Sequence, residues 1–460
     1  MTSSRTSVIL RHVVFALLLL SSAQVSAQQA VINGADSDPN FLEWMTGFPP
    51  AEEKLISQPY SDFWSFPKIR WTVCHLRELL PTRGVSRGTG APLALGEAVS
   101  QALRELLVPS TMGGDTAKAL LDHSGADWLP LKTFLINNYT DGFIVLHKGV
   151  VVYEYYGGCL DRERQHATMS MTKSVTGLLA EMMIAAGELD DSLPVTHWVP
   201  ELGDTSFAGA TLRQVLNMTT GVAFDETYSN PESDLWVYAS ASDAMPKPAS
   251  YEGPVGFLEF LQTLQNRDAP HGTRFKYGTI NTDVLGWVIS RATGQSLADL
   301  VSTKLWQPMG AELDAYFKND ARGIVHAGGG LNAGLRDLAR LGQLLLDGGR
   351  VGSAQVIPAP AVTAIMNGAT TAEPTGARYA QYWPGYRSMW WYGGDAARPL
   401  IAARGVYGQT LYLDPAAEVV MVRLSSHPVA SNVAIDPGVQ PVYRAIADIL
   451  FEAESVAPEL

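Results

Sequence analysis

Short apolar runs rich in β-branched and aromatic residues predict two β-hairpins, one in the middle of the chain and one near its C-terminus. The first pairs Phe143–Leu146 with Val150–Tyr155 across a turn that contains a glycine. The second pairs Tyr407–Leu413 with Glu418–Ser425 across an Asp-Pro turn. Because strands of this composition fit a pleated, half-buried surface, we expect both hairpins to lie in one sheet.

Apolar residues at helical spacing predict helices between and after these hairpins. The longest run, Ser170–Ala186, follows the first hairpin, and an amphipathic helix at Gln440–Glu452 follows the second. Further helical patterns occupy Asp283–Thr293, Leu297–Leu305 and Gly334–Leu346. This order of elements predicts an α/β (α+β) fold in which an antiparallel sheet is flanked by helices.

Residues 1–27 have the three parts of a cleavable secretory signal peptide. Arg5 and Arg11 supply the charged start, Val13–Leu20 the apolar stretch, and Val25-Ser26-Ala27 the small residues at the cleavage site. The apolar stretch is short for a membrane span, although an uncleaved anchor is the alternative. We therefore expect a secreted or periplasmic protein without a stable membrane span.

The rest of the chain divides into an extension and a main domain. Residues 28–140 begin as an irregular stretch rich in Pro, Asp and Ser, with helical patterns at Glu97–Leu107 and Asp115–His123. Residues 141–460 hold both hairpins, and about 188–375 form a mainly helical insertion between them. We expect the extension to pack on the main domain.

Composition narrows the classes of partner and cofactor. The formal net charge of −13 argues against a nucleic-acid partner. The nine histidines show no spacing typical of a catalytic metal site, so we expect neither metal nor cofactor. Cys74 and Cys159 could pair in an oxidising compartment. We interpret them, by a small margin, as two buried free thiols.

The segment Ser170-Met171-Thr172-Lys173 at the start of the longest helix carries the candidate chemistry. Residues i and i+3 share a helix face, so a hydroxyl lies beside an amine. Burial favours the neutral amine, which can then accept the serine proton and create a nucleophile. The tetrad alone also fits a capped helix with a solvent-exposed lysine, so further motifs decide between the two interpretations.

Two further motifs follow in order, Tyr277-Gly278-Thr279 and Ala403-Arg404-Gly405. Together with the tetrad they resemble the serine β-lactamase and penicillin-recognising superfamily, in which S-x-x-K precedes Y-x-N/S and a glycine-containing triad on a core strand. The resemblance spans about Phe143 to Leu450. It implies a β-lactamase/transpeptidase-like fold with an inserted, mainly helical subdomain.

Within this superfamily the chain is class C-like and resembles the branch of 6-aminohexanoate-dimer hydrolases and family VIII carboxylesterases. Ala403-Arg404-Gly405 lacks the lysine that recognises a β-lactam carboxylate. Gly405-Val406-Tyr407-Gly408 resembles the glycine-rich equivalent in those esterases. Phe224–Tyr228, followed by Pro231-Glu232-Ser233, resembles the loop with a substrate-contacting tyrosine in the dimer hydrolases.

The resemblance implies a role for each matching residue. Ser170 attacks a carbonyl carbon, and Lys173 acts as its base or holds Tyr277 as a phenolate. Tyr277 relays a proton to the leaving group. The backbone N–H groups of Ser170 and Val406 form the oxyanion hole.

Four more residues are candidates for contact with substrate. Tyr228 would contact the scissile amide nitrogen, and the hydroxyl of Thr279 would bond Lys173 or substrate. Gly405 lies in the triad that faces the substrate. Trp390, with its neighbour Trp391, would line an apolar acyl pocket, although core packing explains a tryptophan equally well.

We therefore predict an exported, cofactor-free serine hydrolase that cleaves a small amide or ester, such as a linear oligoamide. Alternatives are a carboxylesterase, a D-amino-acid peptidase or a weak β-lactamase, and, outside catalysis, a penicillin-recognising module that binds cell-wall peptides. The segment Gly84–Gly88 matches G-x-S-x-G, but a Gly/Pro loop follows it where that motif requires a helix. The oligomeric state stays open.

Overall fold

The computed structural model describes residues 32–57, 61–109, 128–228, 230, 232–243, 247 and 251–455. The predicted signal peptide, 1–27, and the predicted helical pattern at Asp115–His123 lie outside these residues. All elements named below belong to one compact unit, Gly34–Leu460. None of the helices in the described ranges has the length and hydrophobicity to span a bilayer.

Seventeen strands are present in the described part of the chain. In chain order they are β1 Thr82–Val85, β2 Gly96–Glu97, β3 Leu107–Pro109, β4 Trp128–Pro130, β5 Thr140–His147, β6 Val150–Tyr156, β7 His166–Ala167, β8 Ala315–Lys318, β9 Leu331–Ala333, β10 Arg350–Val351, β11 Ala354–Gln355, β12 Glu373–Pro374, β13 Gly385–Arg387, β14 Trp390–Gly394, β15 Pro399–Gly405, β16 Gln409–Asp414 and β17 Val419–Ser425.

Twelve α-helices accompany them within the described ranges, together with short 3₁₀ and π turns. They are α1 Ile69–Leu79, α2 Gln101–Arg104, α3 Leu131–Asn137, α4 Met171–Ala185, α5 Leu212–Leu216, α6 Asp234–Ala241, α7 Phe257–Gln262, α8 Thr279–Thr293, α9 Leu297–Val301, α10 Leu335–Leu346, α11 Ala359–Met366 and α12 Asn432–Ser455.

The central sheet has nine strands in the order β12-β13-β14-β15-β16-β17-β5-β6-β2. Strands β5 and β17 pair antiparallel in its interior, with Val422 opposite Ile144, so the two predicted hairpins join side by side. Both residues are fully buried because helices cover both faces of this part of the sheet. The predicted hairpins and their shared sheet are confirmed.

Helix α4 runs through the protein interior, and its residues from Met171 to Met183 are all buried. It packs between helices α8 and α11 on one side and strand β15 on the other. A Cβ atom on Gly177 would lie 2.4 Å from the backbone oxygen of Ser388, so only glycine allows this close approach. The helix is therefore buried over this length, including its polar residues Thr172, Lys173, Ser174, Thr176 and Glu181.

The described structure differs from the sequence prediction in several elements. The region 188–375 contains strands β8 to β12 as well as helices. Only Gln101–Arg104 is helical within the predicted Glu97–Leu107 pattern, and the last helix begins at Asn432 instead of Gln440. The fold class itself is confirmed as β-lactamase/transpeptidase-like, with mostly antiparallel sheets flanked by helices.

A second sheet, in the order β1-β8-β9-β7, leads into the start of helix α4. Strand β7 ends at Ala167, three residues before Ser170, and pairs with β9. Strand β1 comes from the N-terminal part of the chain and pairs with β8 from Thr82 opposite Lys318 to Val85 opposite Ala315. The N-terminal part thus contributes a strand to the sheet from which helix α4 begins.

Cys74 and Cys159 form a disulfide bond, with their Cα atoms 5.9 Å apart. This corrects our interpretation of the two residues as free thiols. Cys74 lies on helix α1 and Cys159 in the loop after β6, 85 residues later. The pairing depends on how helix α1 docks, and the sequence spacing does not show that.

We expect the disulfide to contribute about 2–5 kcal/mol to the free energy of unfolding, because the cross-link restricts the conformations available to the unfolded chain. The double variant Cys74→Ser/Cys159→Ser should unfold at a lower denaturant concentration than the oxidised protein. Reductant should destabilise the original protein by a similar amount and leave the double variant unchanged. Equal unfolding midpoints for the oxidised protein and the variant would contradict this prediction.

Candidate active site

Ser170 lies at the N-terminal end of helix α4, directly after a strained turn. The preceding Met169 has a φ of 49°, in the left-handed region that a non-glycine side chain rarely adopts. Such strain is typical of positions that present a functional side chain. It sets Ser170 at the boundary between the protein interior and two cavities.

Lys173 is 1 % exposed, and its Nζ atom donates to Ser170 Oγ at 2.8 Å and to the Gly328 backbone oxygen at 2.6 Å. Burial lowers the pKa of Lys173 from 10.5 to about 8, against the opposing effect of the nearby Glu226 and Asp283 carboxylates. A large share of the amine is therefore neutral at mildly alkaline pH. It has both the position and the basicity to accept the Ser170 proton.

Tyr277 stands on the other side of the same serine. Its ring centroid lies 5.2 Å from Lys173 Nζ and 5.5 Å from the ring of Trp391, on which it stacks. Burial and the charge of Glu226 raise the pKa of Tyr277 well above 10, although the hydroxyl of Ser170 lowers it. The phenol therefore stays protonated at neutral pH, which favours Lys173 as the base over a Tyr277 phenolate.

Glu226 is a site residue that the sequence analysis missed. Its carboxylate accepts hydrogen bonds from the backbone N–H and the hydroxyl of Thr279, at 2.5 and 2.8 Å. It thereby caps helix α8, whose own preceding residue, Gly278, has no side chain to do so. The sequence feature that could have identified Glu226 is its position two residues before Tyr228, in the loop that resembles the dimer hydrolases.

Because the Glu226 charge raises the pKa of Lys173, we expect Glu226→Gln to lower that pKa. If Lys173 is the base, kcat/KM rises with pH through the pKa of Lys173, so this rise should move to lower pH in Glu226→Gln. Glutamine can still accept a hydrogen bond from Thr279. The matched control is Asp225→Asn, which removes a neighbouring charge that is not among the groups shifting Lys173. The pH dependence of kcat/KM for both variants tests this, and an unmoved profile in Glu226→Gln would contradict it.

Gly405 brings the end of strand β15 against the start of helix α4. A Cβ atom there would lie 2.5 Å from the Thr168 backbone oxygen and 2.9 Å from the Ser170 backbone nitrogen. Only glycine permits this approach. The next residue, Val406, consequently lies beside Ser170 and lines both adjoining cavities.

Two cavities meet at Ser170. The first, here called the polar cleft, has a volume of about 350 Å³ and is lined among others by Glu226, Tyr277, Arg378, Trp391, Arg404 and Asn432. The second, here called the apolar pocket, has a volume of about 370 Å³ and is lined among others by Trp64, Leu76, Leu235, Trp236, Lys318 and His326. A substrate carbonyl at Ser170 can therefore extend in two chemically different directions.

The remaining candidate substrate contacts have different positions. Tyr228 lines both cavities, and its hydroxyl donates to Glu226 at 3.4 Å. Thr279 lines the apolar pocket, and its hydroxyl bonds Glu226, not Lys173, so contact with substrate stays a prediction. Our expectation for Trp390 was wrong: it is fully buried in the core, with its indole N–H bonded to Ser174. Successive residues of a strand face opposite ways, so Trp391 lines the polar cleft instead.

One cluster in the described part of the chain groups three side chains of metal-ligating type, namely Cys74, Cys159 and His166. Both sulfur atoms belong to the disulfide, and His166 Nε2 lies 3.2 Å from the Asp141 carboxylate. These atoms are therefore already engaged in structural bonds.

The family model described as beta-lactamase matches residues 139–440. The chain belongs to the β-lactamase family. The matched region contains Ser170, Lys173, Tyr277 and Val406, so family membership covers every residue proposed for the chemical steps. The match ends within the last helix, after the second hairpin.

The chain is similar to a 6-aminohexanoate-dimer hydrolase and to an esterase. It is 32 % identical over 374 residues to the 6-aminohexanoate-dimer hydrolase of Paenarthrobacter ureafaciens, covering 81 % of this chain and 89 % of that enzyme. It is 30 % identical over 187 residues to Esterase EstB of Burkholderia gladioli, covering 36 % and 44 % of the two chains.

A solved structure shows the same relationship. The putative 6-aminohexanoate-dimer hydrolase from Bacillus anthracis superimposes with a TM-score of 0.74 at 28 % identity, covering 89 % of this chain and all of that one. The protein is thus a hydrolase with the β-lactamase fold, similar to 6-aminohexanoate-dimer hydrolases and esterases.

Proposed function

We propose that the protein is an exported serine hydrolase that cleaves small amides or esters through an acyl-enzyme on Ser170. The observation that carries this proposal is the 2.8 Å contact between Ser170 Oγ and the buried Lys173 amine, whose pKa burial lowers to about 8. A buried neutral amine in that position is a base for the serine hydroxyl. The family relationship supports the same chemistry.

Acylation starts when neutral Lys173 takes the Ser170 proton and Ser170 Oγ attacks the substrate carbonyl carbon. The carbonyl oxygen becomes an anion, which the backbone N–H groups of Ser170 and Val406 stabilise; each such donor is typically worth about 3 kcal/mol. The partial positive charge at the start of helix α4 adds to this stabilisation. Collapse of the intermediate breaks the bond to the leaving group.

Tyr277 gives its proton to the leaving amine or alkoxide and recovers it from Lys173. Its phenol suits this role because it is protonated, interacts with Ser170 and lies within 5.2 Å of the Lys173 amine. In the second half, the same groups take a proton from water, which attacks the acyl carbon and frees Ser170. The cycle needs no group beyond these side chains and water.

The proposed substrate is a small linear amide or ester, similar to that named for the Paenarthrobacter relative. Tyr228 is placed between the two cavities, where its hydroxyl can bond the nitrogen of a scissile amide. A carboxylesterase is the second candidate, supported by the similarity to Esterase EstB. A role against β-lactams has less support, because the triad Ala403-Arg404-Gly405 contains no lysine to bind a β-lactam carboxylate. Its arginine, Arg404, is already paired with Asp436.

Export remains part of the proposal. The N-terminal segment has the composition of a signal peptide, and Cys74 and Cys159 form a disulfide. Structural disulfides are typical of oxidising compartments outside the cytosol. Both observations support a secreted or periplasmic location.

The test of the acyl-enzyme is direct detection of the adduct. Purified protein is mixed with p-nitrophenyl butyrate or a 6-aminohexanoate linear dimer, quenched in acid, and analysed by intact mass and peptide mapping. We expect one acyl group on the peptide that contains Ser170. An acyl group on Ser86 of the G-x-S-x-G segment, or turnover without any adduct on rapid quenching, would count against the proposal.

A further inference from the structure

The apolar pocket has a basic end that the proposed chemistry does not use. Its walls include the side chains of Trp64, Leu76 and Trp236, whereas Lys318 and His326 lie among its lining residues. The lining contains no aspartate or glutamate among the described residues. A largely apolar cavity in which the ionisable nitrogen groups are Lys318 and His326 has the composition of a site for an apolar chain that ends in an anion.

Lys318 is the last residue of strand β8 and is 9 % exposed. Its ammonium group has no hydrogen-bond or ion-pair partner within the described residues. The nearby carboxylate of Asp283 already accepts from Tyr238 at 2.5 Å and from the Gly328 N–H at 3.2 Å. Burial lowers the pKa of Lys318 to about 8, so the amine is mostly charged at neutral pH.

His326 adds a second unpartnered group to the same end of the pocket. It is 7 % exposed, its ring stacks on Phe257 at 5.0 Å, and neither ring nitrogen has a hydrogen-bond partner in the described part of the chain. Burial and the charges of Lys318 and Lys173 lower the pKa of His326 well below 6.5, so the ring is neutral. It can donate one hydrogen bond, and a buried donor without a partner costs free energy.

We propose that the apolar pocket binds a substrate chain that ends in a carboxylate, which accepts hydrogen bonds from Lys318 and His326. This inference rests on the proposed function, since it assigns the substrate class of the same Ser170 site. Methylene groups of the chain contact the tryptophan and leucine side chains, and the carboxylate satisfies both unpartnered donors. A chain ending in an ammonium group is disfavoured, because it would meet Lys318 with no carboxylate in the lining.

The experiment measures ligand binding in the Ser170→Ala background, so it does not depend on turnover. Isothermal titration uses adipate, hexane-1,6-diol and 1,6-diaminohexane, which share a six-carbon chain and differ in end charge. We expect adipate to bind about 10-fold or more tightly than the diol, and the diamine to bind weakest. Adding Lys318→Met should remove the preference for adipate.

Lys304→Met is the matched control, because it removes the same charge from a surface lysine that pairs with Glu188 and lines neither cavity. We expect it to leave adipate affinity unchanged. Loss of adipate binding in Lys304→Met but not in Lys318→Met would overturn the proposal, and so would equal affinities for adipate and the diol. If Lys318→Met does not fold, His326→Phe keeps the stacked ring, removes both nitrogens and should weaken adipate several-fold.

A turnover assay separates this inference from the proposed function. The ratio of kcat/KM for p-nitrophenyl hydrogen adipate to that for p-nitrophenyl hexanoate should fall in Lys318→Met. Any effect of Lys318 on the Lys173 amine changes both rates equally and cancels in the ratio. Hydrolysis of both esters with an unchanged ratio of the kcat/KM values would contradict the inference and leave the proposed function intact. Absence of hydrolysis would contradict the proposed function, and the binding measurements would then test the pocket independently.

Discussion

Ser170→Ala should lower kcat/KM toward every amide and ester substrate by about 10⁴-fold or more, because the variant has no atom to form the acyl-enzyme. The folded state should be retained, since the hydroxyl bonds only neighbouring active-site groups and alanine fits the same space. Steady-state rates with p-nitrophenyl butyrate and the 6-aminohexanoate dimer measure the loss. Melting temperature and circular dichroism of the same preparations verify folding.

Ser86→Ala is the control for this experiment. Ser86 belongs to the G-x-S-x-G segment Gly84–Gly88, is exposed, and lies directly after strand β1. Its removal should leave kcat/KM unchanged. Residual hydrolysis in Ser170→Ala that disappears when Ser86→Ala is added would overturn the assignment of the nucleophile. A biological effect that survives Ser170→Ala would favour the binding-module alternative.

Lys173→Met should lower kcat by about 10³-fold, because Ser170 loses the base that takes its proton. Methionine resembles lysine in shape, so the variant replaces a buried amine by an apolar side chain of similar length. The original enzyme should show kcat/KM that rises with pH through about 8 and then levels off, since only the neutral amine accepts a proton. This rise should be absent in Lys173→Met.

The pH at which kcat/KM rises separates Lys173 from the alternative base. A Tyr277 phenolate would place the rise well above pH 10, because burial raises the pKa of that phenol. A profile of kcat/KM measured from pH 6 to pH 10 with a neutral ester distinguishes the two. A rate that falls with increasing pH in this range would contradict both bases.

The sequence predicts those parts of the fold that depend on local pattern. The two hairpins follow from runs of strand-forming residues, and helix α4 from an apolar run with a nucleophilic tetrad at its start. The amphipathic pattern predicts helix α12 from Gln440, whereas the helix begins at Asn432 and contains Pro437 and Pro441. A proline usually marks a helix boundary, and only packing of the C-terminal segment on the sheet overrides that preference here.

The candidate site likewise contains residues that a local sequence pattern predicts and residues that only tertiary packing brings to it. Ser170, Lys173 and Tyr277 belong to motifs that follow one another in a set order, so the sequence selects them as candidates, and the structure brings them together. Glu226 and Lys318 become site residues only through tertiary contacts, one with the start of helix α8 and the other with a cavity. Their positions at the site depend on how a loop and a strand pack in the folded protein, and no pattern in a single sequence predicts that packing.

The N-terminal part of the chain supplies Trp64 and Leu76 to the wall of the apolar pocket, and the disulfide fastens helix α1, which carries Leu76. The chemical groups, in contrast, all come from the region matched by the family model. Part of the pocket wall is therefore encoded outside the stretch that encodes the proposed chemical groups. Substitutions at Trp64 and Leu76 can reshape the pocket from outside the matched region, and both side chains pack with the cluster that contains Met169, directly before Ser170. These two positions are targets for directed evolution of new substrate preferences.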